Sequence, residues 1–188
     1  MSKFIDIISA TTTTLVAASD YPSNSPTNRR ASSKANISKI SITNYSTHAN
    51  GASIKVFLYG LEATRTVNQS NGTVTNIIFD QENYTSDADR IEVGDTVYDS
   101  DGTLHGTITA LNPDNDNTKE ITISSSTAIT DNETFKISKV DNYITGTINI
   151  PAGVTLVLDD SFSFNLFDYE LRIDNSGSST PRLTVRID

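Results

Sequence analysis

Residues 94–108 read GDTVYDSDGTLHGTI. The centre, Asp99-Ser100-Asp101-Gly102, has the composition of a calcium loop, while the flanks alternate apolar and polar residues as a hairpin does. A helix-loop-helix calcium site needs oxygen ligands at alternate positions and a bidentate glutamate at the twelfth. With Asp101 at position five, position one is Val97 and position twelve is Ile108, and neither can be a ligand. A hairpin accounts for every residue. Val97 and Leu104 flank the turn, and Gly102 supplies a positive φ at little steric cost. The stretch therefore specifies two short antiparallel strands, and no metal is expected in it.

The same alternation runs outward in both directions. In ISKISITNY, Ile40 and Ile42 share one face and Ser41 and Thr43 the other. In ASIKVFLYG, Ile54, Val56 and Leu58 oppose Lys55, Phe57 and Tyr59. TVTNIIFD, EITIS, NYITGTINI, VTLVLD, YELRI and RLTVRI read as further strands. Helical periodicity is absent apart from one possible short helix or turn at 86–91. About a quarter of the residues are Ser or Thr, a composition that favours strands and turns. The expected fold is all-β: an antiparallel β-sandwich, jelly-roll-like, with an inserted small SH3-like β-barrel. The sandwich is expected in residues 1–85 plus 140–188. The barrel is expected in 86–139, where four or five short strands are separated by Asp/Asn/Gly turns such as NPDNDN at 112–117.

Residues 19–36, SDYPSNSPTNRRASSKAN, form a polar arm with two prolines and few apolar residues. Segments of that length within a compact domain tend to contact something. Tyr21, Arg29 and Arg30 are the candidate partner-contact residues, the arginines because a guanidinium pair can grip an acidic surface through bidentate hydrogen bonds.

Charge and composition exclude several functions. The net charge of −9 argues against sequence-independent nucleic-acid binding, because an acidic surface repels phosphate. The absence of cysteine removes disulfides and thiolate chemistry. No apolar run approaches the roughly 20 residues that span a bilayer, and Asp6 and the Thr11–Thr14 run interrupt any signal-peptide core, so no membrane association is expected. The sequons at Asn36, Asn44, Asn68, Asn71, Asn83 and Asn132 are what a chain rich in Asn, Ser and Thr produces.

Reactive constellations are scarce. His48 lies in a polar turn and His105 on a strand, and neither has metal-ligand spacing; both read as surface histidines. The pairs Asp99–Asp101 and Asp159–Asp160 fall in turns. Phosphate-binding glycine loops and nucleophile-elbow motifs are missing. No catalytic residue, cofactor or metal is expected, and the chain reads as non-enzymatic. Tryptophan, the best platform for a sugar ring, is absent; Tyr21, Tyr45 and Tyr84 are the remaining loop aromatics for a glycan- or receptor-binding alternative.

Two stretches carry a resemblance. NYITGTINIPAGVTLVLDDSFSFNLFDYELRI, residues 142–173, runs from a strand through a Pro-Ala-Gly turn to an apolar strand and a Phe-rich segment. There Phe162, Phe164, Phe167 and Tyr169 are expected to supply aromatic core. This pattern resembles small virion structural proteins of tailed bacteriophages. IEVGDTVYDSDGTLHGTITAL, residues 91–111, is similar to a barrel module in structural proteins of marine phages, cyanophages especially. The resemblance implies a virion component: a head decoration or a neck or tail accessory. Its implied partners are other virion proteins and further copies of itself in a homo-oligomer. It carries over no catalytic residue.

Overall fold

The computed structural model describes residues 2–20, 34–47, 51–80, 91–111, 120–166, 168–176 and 181–188. The first strands are β1 (Lys3–Ile7), β2 (Thr12–Val16), β3 (Lys34–Ile37), β4 (Ile40–Asn44) and β5 (Ala52–Gly60). Next come β6 (Glu62–Thr66), β7 (Gly72–Ile78), β8 (Thr96–Asp99), β9 (Leu104–Leu111), β10 (Glu120–Ile129) and β11 (Thr134–Ser138). β12 (Asn142–Tyr143), β13 (Ile148–Ile150), β14 (Thr155–Leu158), β15 (Phe162–Asn165), β16 (Tyr169–Asp174) and β17 (Leu183–Ile187) complete the order. The only helical element among the described residues is a 3-10 turn, Ala18–Asp20.

The strands divide between two compact units, Met1–Tyr59 with Asp141–Asp188, and Gly60–Val140. The second unit thus begins at Gly60 rather than at the expected residue 86. TVTNIIFD alternates as a sandwich strand would, but β7 pairs with β10 and β6 pairs with β11, so both belong to the insertion.

In the first unit two sheets face each other across one core. One has the order β1-β17-β4-β14; the other runs β12-β5-β16-β2, with β13 also on β5. Lettered B to I in chain order, the strands β1, β2, β4, β5, β13, β14, β16 and β17 form the sheets B-I-D-G and C-H-E-F. That is the strand order of a jelly roll. Inward-facing Ile40, Ile42, Leu183, Val185 and Ile187 pack against Leu15, Ile54, Val56, Leu171 and Ile173, all buried. Each such side chain contributes about 1.5–3 kcal/mol relative to exposure. Phe164 joins this core and Phe162 packs against it, with their rings stacked at 6.3 Å; Phe167 lies outside the described residues.

Two details depart from expectation. NYITGTINI is two strands, β12 and β13, because Ile144 and Thr145 both donate to the Val56 carbonyl while the Thr145 hydroxyl takes the Val56 N–H at 3.0 Å. Residues 34–36 are not part of a free arm: they lie in β3, which pairs with β15.

The second unit is a sheet of six strands, β6-β11-β8-β9-β10-β7: the four that lie within 86–139, where four or five were expected, and β6 and β7 from before it. It curls until its edge strands meet at one end. There Val67 and Phe79 form a bridge, Asn68 donates to Ile78 O and Asp80 donates to Thr66 O. Ile77, Phe79, Val97, Ile108, Ile121, Phe135 and Ile137 form its own core. The opening stretch is the β8–β9 hairpin. Gly102 has φ +92°, and the Asp99 carboxylate accepts the Asp101 and Thr103 amides at 3.1 and 2.9 Å.

Candidate functional site

Tyr21, Arg29 and Arg30 lie outside the described residues, as do His48, Tyr84, all but Ile91 of the possible helix or turn at 86–91, and the 112–117 turn. The described start of the arm is anchored. Asp20 accepts from the Lys3 ammonium at 2.7 Å and from the Ala17 amide at 2.9 Å. Partial burial opposes ionisation of Asp20, but these two donors outweigh it and hold its carboxyl below the ordinary value.

The outer side of the β1-β17-β4-β14 sheet is the most regular surface in the first unit. The pairing registers align two rows across all four strands: Asp6–Thr184–Thr43–Thr155 and Phe4–Arg186–Ser41–Val157. Hydroxyls bind along the first row, Thr184 to Asp6 at 2.7 Å and Thr43 to Thr155 at 2.9 Å. In the second, Phe4 and Val157 are exposed and the Arg186 guanidinium lies 5.7 Å from the Phe4 ring centre. Four strands at about 4.8 Å spacing span roughly 14 Å. Short side chains, Thr184, Thr43, Thr155 and Ser41, fill most of the two rows, Arg186 projects from the second, and the apolar Phe4 and Val157 stand on the two edge strands. Tyr45, half exposed, follows β4 on the same alternation.

A second cluster sits in the inserted unit, and sequence reasoning missed it. His105 was expected at the surface, yet its side chain is only 13% exposed. Its Nδ1 lies 2.5 Å from Thr127 Oγ1 and its Nε2 lies 3.3 Å from Asp99 Oδ2. Two bulges create the contact. Between β8 and β9, Val97 pairs with Gly106 and Tyr98 with Leu104, leaving His105 as the extra residue. On β10, the stretch between Thr122 and Thr127 is longer than the facing step on β7 from Asn76 to Val74. Such bulges re-aim side chains. Gly106 is required there: its φ is +134°, and a Cβ would lie 2.7 Å from Ser124 Oγ, which instead accepts the Thr107 amide at 3.1 Å. The adjacent Asp101 side chain, the Thr103 and Asp101 amides and the His105 ring bring the Asp99 carboxyl down to about 2.

The order hydroxyl, imidazole, carboxylate is that of an activated nucleophile. Access to the hydroxyl and the ring is restricted. Thr127 is buried, Nε2 has no exposed surface, and the edge of Phe135 closes the ring at 5.0 Å. A nucleophile needs room about 3 Å away for the reacting atom. The cluster is a tie that pins three adjacent strands where two bulges weaken their ladder. The one sequence signal for it was a glycine inside a strand. No group of three metal-ligating side chains converges among the described residues.

The chain matches no family model, and no curated protein matches it closely enough to count as a relative.

Proposed function

We propose that this chain is a non-enzymatic virion structural protein, a head decoration or a neck or tail accessory that docks on a symmetric phage assembly as a homo-oligomer. The observation that carries the reading is the B-I-D-G/C-H-E-F strand order together with the aligned outer rows of its first sheet. The step from jelly roll to capsid is an analogy of fold. The row face adds to it: the short side chains of Ser41, Thr43 and Thr155 let a partner approach closely there, and repetition on a lattice turns a weak contact into avidity. Phe4 and Val157 supply the apolar area.

The test is incorporation. A charged, bulky side chain in the middle of the rows, Ser41→Arg or Thr43→Arg, leaves the core untouched. It is expected to remove the protein from purified particles while circular dichroism stays that of the parent. Particles that retain both variants at parental copy number would refute this docking face.

A glycan- or receptor-binding reading draws on a hollow of about 230 Å³ of mixed polar and apolar lining, formed by Ser53, Ile54, Lys55, Thr147, Asp174 and Ser176. It is smaller than the roughly 300–1,000 Å³ of ordinary ligand pockets, and no aromatic ring lines it. A sugar array with no saturable binding separates the two readings.

A further inference from the structure

Lys139 directly follows β11 and Asp95 directly precedes β8. The register pairs Ser138 with Thr96, so Lys139 and Asp95 are the next cross-strand pair. Both side chains are buried, 5% and 7% exposed. Lys139 Nζ lies 3.1 Å from Asp95 Oδ2 and 3.0 Å from Glu92 Oε2, and neither contact is aligned as a full hydrogen bond. Glu92 itself is 67% exposed and so links the buried pair to water.

The surroundings hold these groups in place. Asp95 Oδ2 accepts the Glu92 amide at 2.8 Å, the Asp95 amide returns to Glu92 O at 3.2 Å, and Asp95 O accepts the Ile108 amide at 2.8 Å. The Lys139 backbone is packed against Gly60.

We propose that Lys139 and Asp95 condense to an intramolecular isopeptide bond, with Glu92 as the proton carrier. In the step, the Nζ lone pair attacks Asp95 Cγ after Glu92 takes a proton from the ammonium. The tetrahedral centre then expels one oxygen, which leaves as water with that proton and a second one from nitrogen. One C–N bond forms and one C–O bond breaks. Ammonium and carboxylate become a neutral secondary amide plus water, with no oxidant or cofactor.

Two physical terms favour the product. A buried ion pair carries a desolvation cost that a neutral amide does not. The fold already holds the Lys139 nitrogen 3.1 Å from an oxygen of the Asp95 carboxyl, which reduces the entropic cost of bringing the two groups together. Burial pushes the Asp95 carboxyl above its ordinary value, toward the acid form from which an oxygen can depart; burial works against the Lys139 ammonium too, but Glu92 and Asp95 hold it above its own ordinary value, so the attack needs the base that Glu92 supplies. The inference stands apart from the virion reading, and holds or fails on chemistry within one chain.

The test is the intact mass of the denatured wild-type chain after allowance for Met1 removal. The expected result is the sequence mass less one water, with a branched proteolytic peptide joining the segments that hold Lys139 and Asp95. Glu92→Gln, folded by circular dichroism, is expected at the full mass. An Asp101–Gly102 imide would also lose one water, so mass loss without the branched peptide overturns the proposal. So does a wild-type chain at full mass, which would leave the pair an ion pair only. The wild-type measurement decides even if variants fail to fold.

Discussion

Gly60 lies against the backbone of Lys139 so closely that a Cβ on Gly60 would fall 1.9 Å from the Lys139 carbonyl oxygen. The obstacle is backbone, so no side-chain rotation relieves it. Gly60→Ala is expected to destabilise the inserted unit by about 2 kcal/mol or more, read as a lower urea midpoint. An unchanged midpoint would show that the approach is looser than described.

The insertion leaves the jelly roll at one cross-strand position. Asn142 pairs with Leu58, so Tyr59 on β5 and Asp141, which directly precedes β12, come next in register. A short Asn-Gly type turn can join antiparallel strands at such a point. Each unit also has its own core. Replacing Gly60–Val140 by such a turn is expected to leave a cooperatively unfolding β-protein, checked by circular dichroism and thermal melting. Loss of the β signal would contradict the division into units.

Acid sensitivity has a defined sign. Asp99 is brought from 3.8 to about 2, first by its neighbour Asp101 and then by turn amides and His105. Asp174, held by Ser176, and Asp188, held by Ser2 and Arg186, are also lowered. A depressed carboxyl contributes stability that is present above its unfolded value and lost as pH falls through the folded one. Asp95, raised by burial, works in the opposite direction. The melting temperature is expected to fall between about pH 4 and pH 2. In Asp99→Asn that fall is expected to be shallower. Equal slopes for parent and variant would remove Asp99 from the account.

The His105 tie is structural. His105→Ala takes the ring partner from the buried Thr127 hydroxyl and opens space beside Phe135. A loss of about 1–3 kcal/mol follows from that one unsatisfied buried group, measurable by denaturant titration. No loss of stability would mean that the bulges hold themselves.

Much of the fold was legible because alternation reports burial directly. Ile40 and Ile42, and Leu183 and Val185, face inward as their spacing implies. The Asp99–Gly102 turn was legible too, since few residues other than glycine tolerate the φ of Gly102. What alternation cannot report is the pairing partner. β6 and β7 look like sandwich strands and belong to the insertion only because β11 and β10 claim them. The His105–Thr127 contact was hidden for a related reason: each bulge shifts the register, so sequence parity no longer says which face a side chain takes. Tyr21, Arg29 and Arg30 came from composition, and lie outside the described residues.

The account's central claim, that this chain acts by shape and contact as part of a virion, is tested most directly by quantitative mass spectrometry of purified virus particles, intact and stripped of tails. It predicts a constant copy number that is a whole multiple of a ring or lattice symmetry and that follows either heads or tails. Absence from washed particles, or a copy number that varies between preparations, would contradict it.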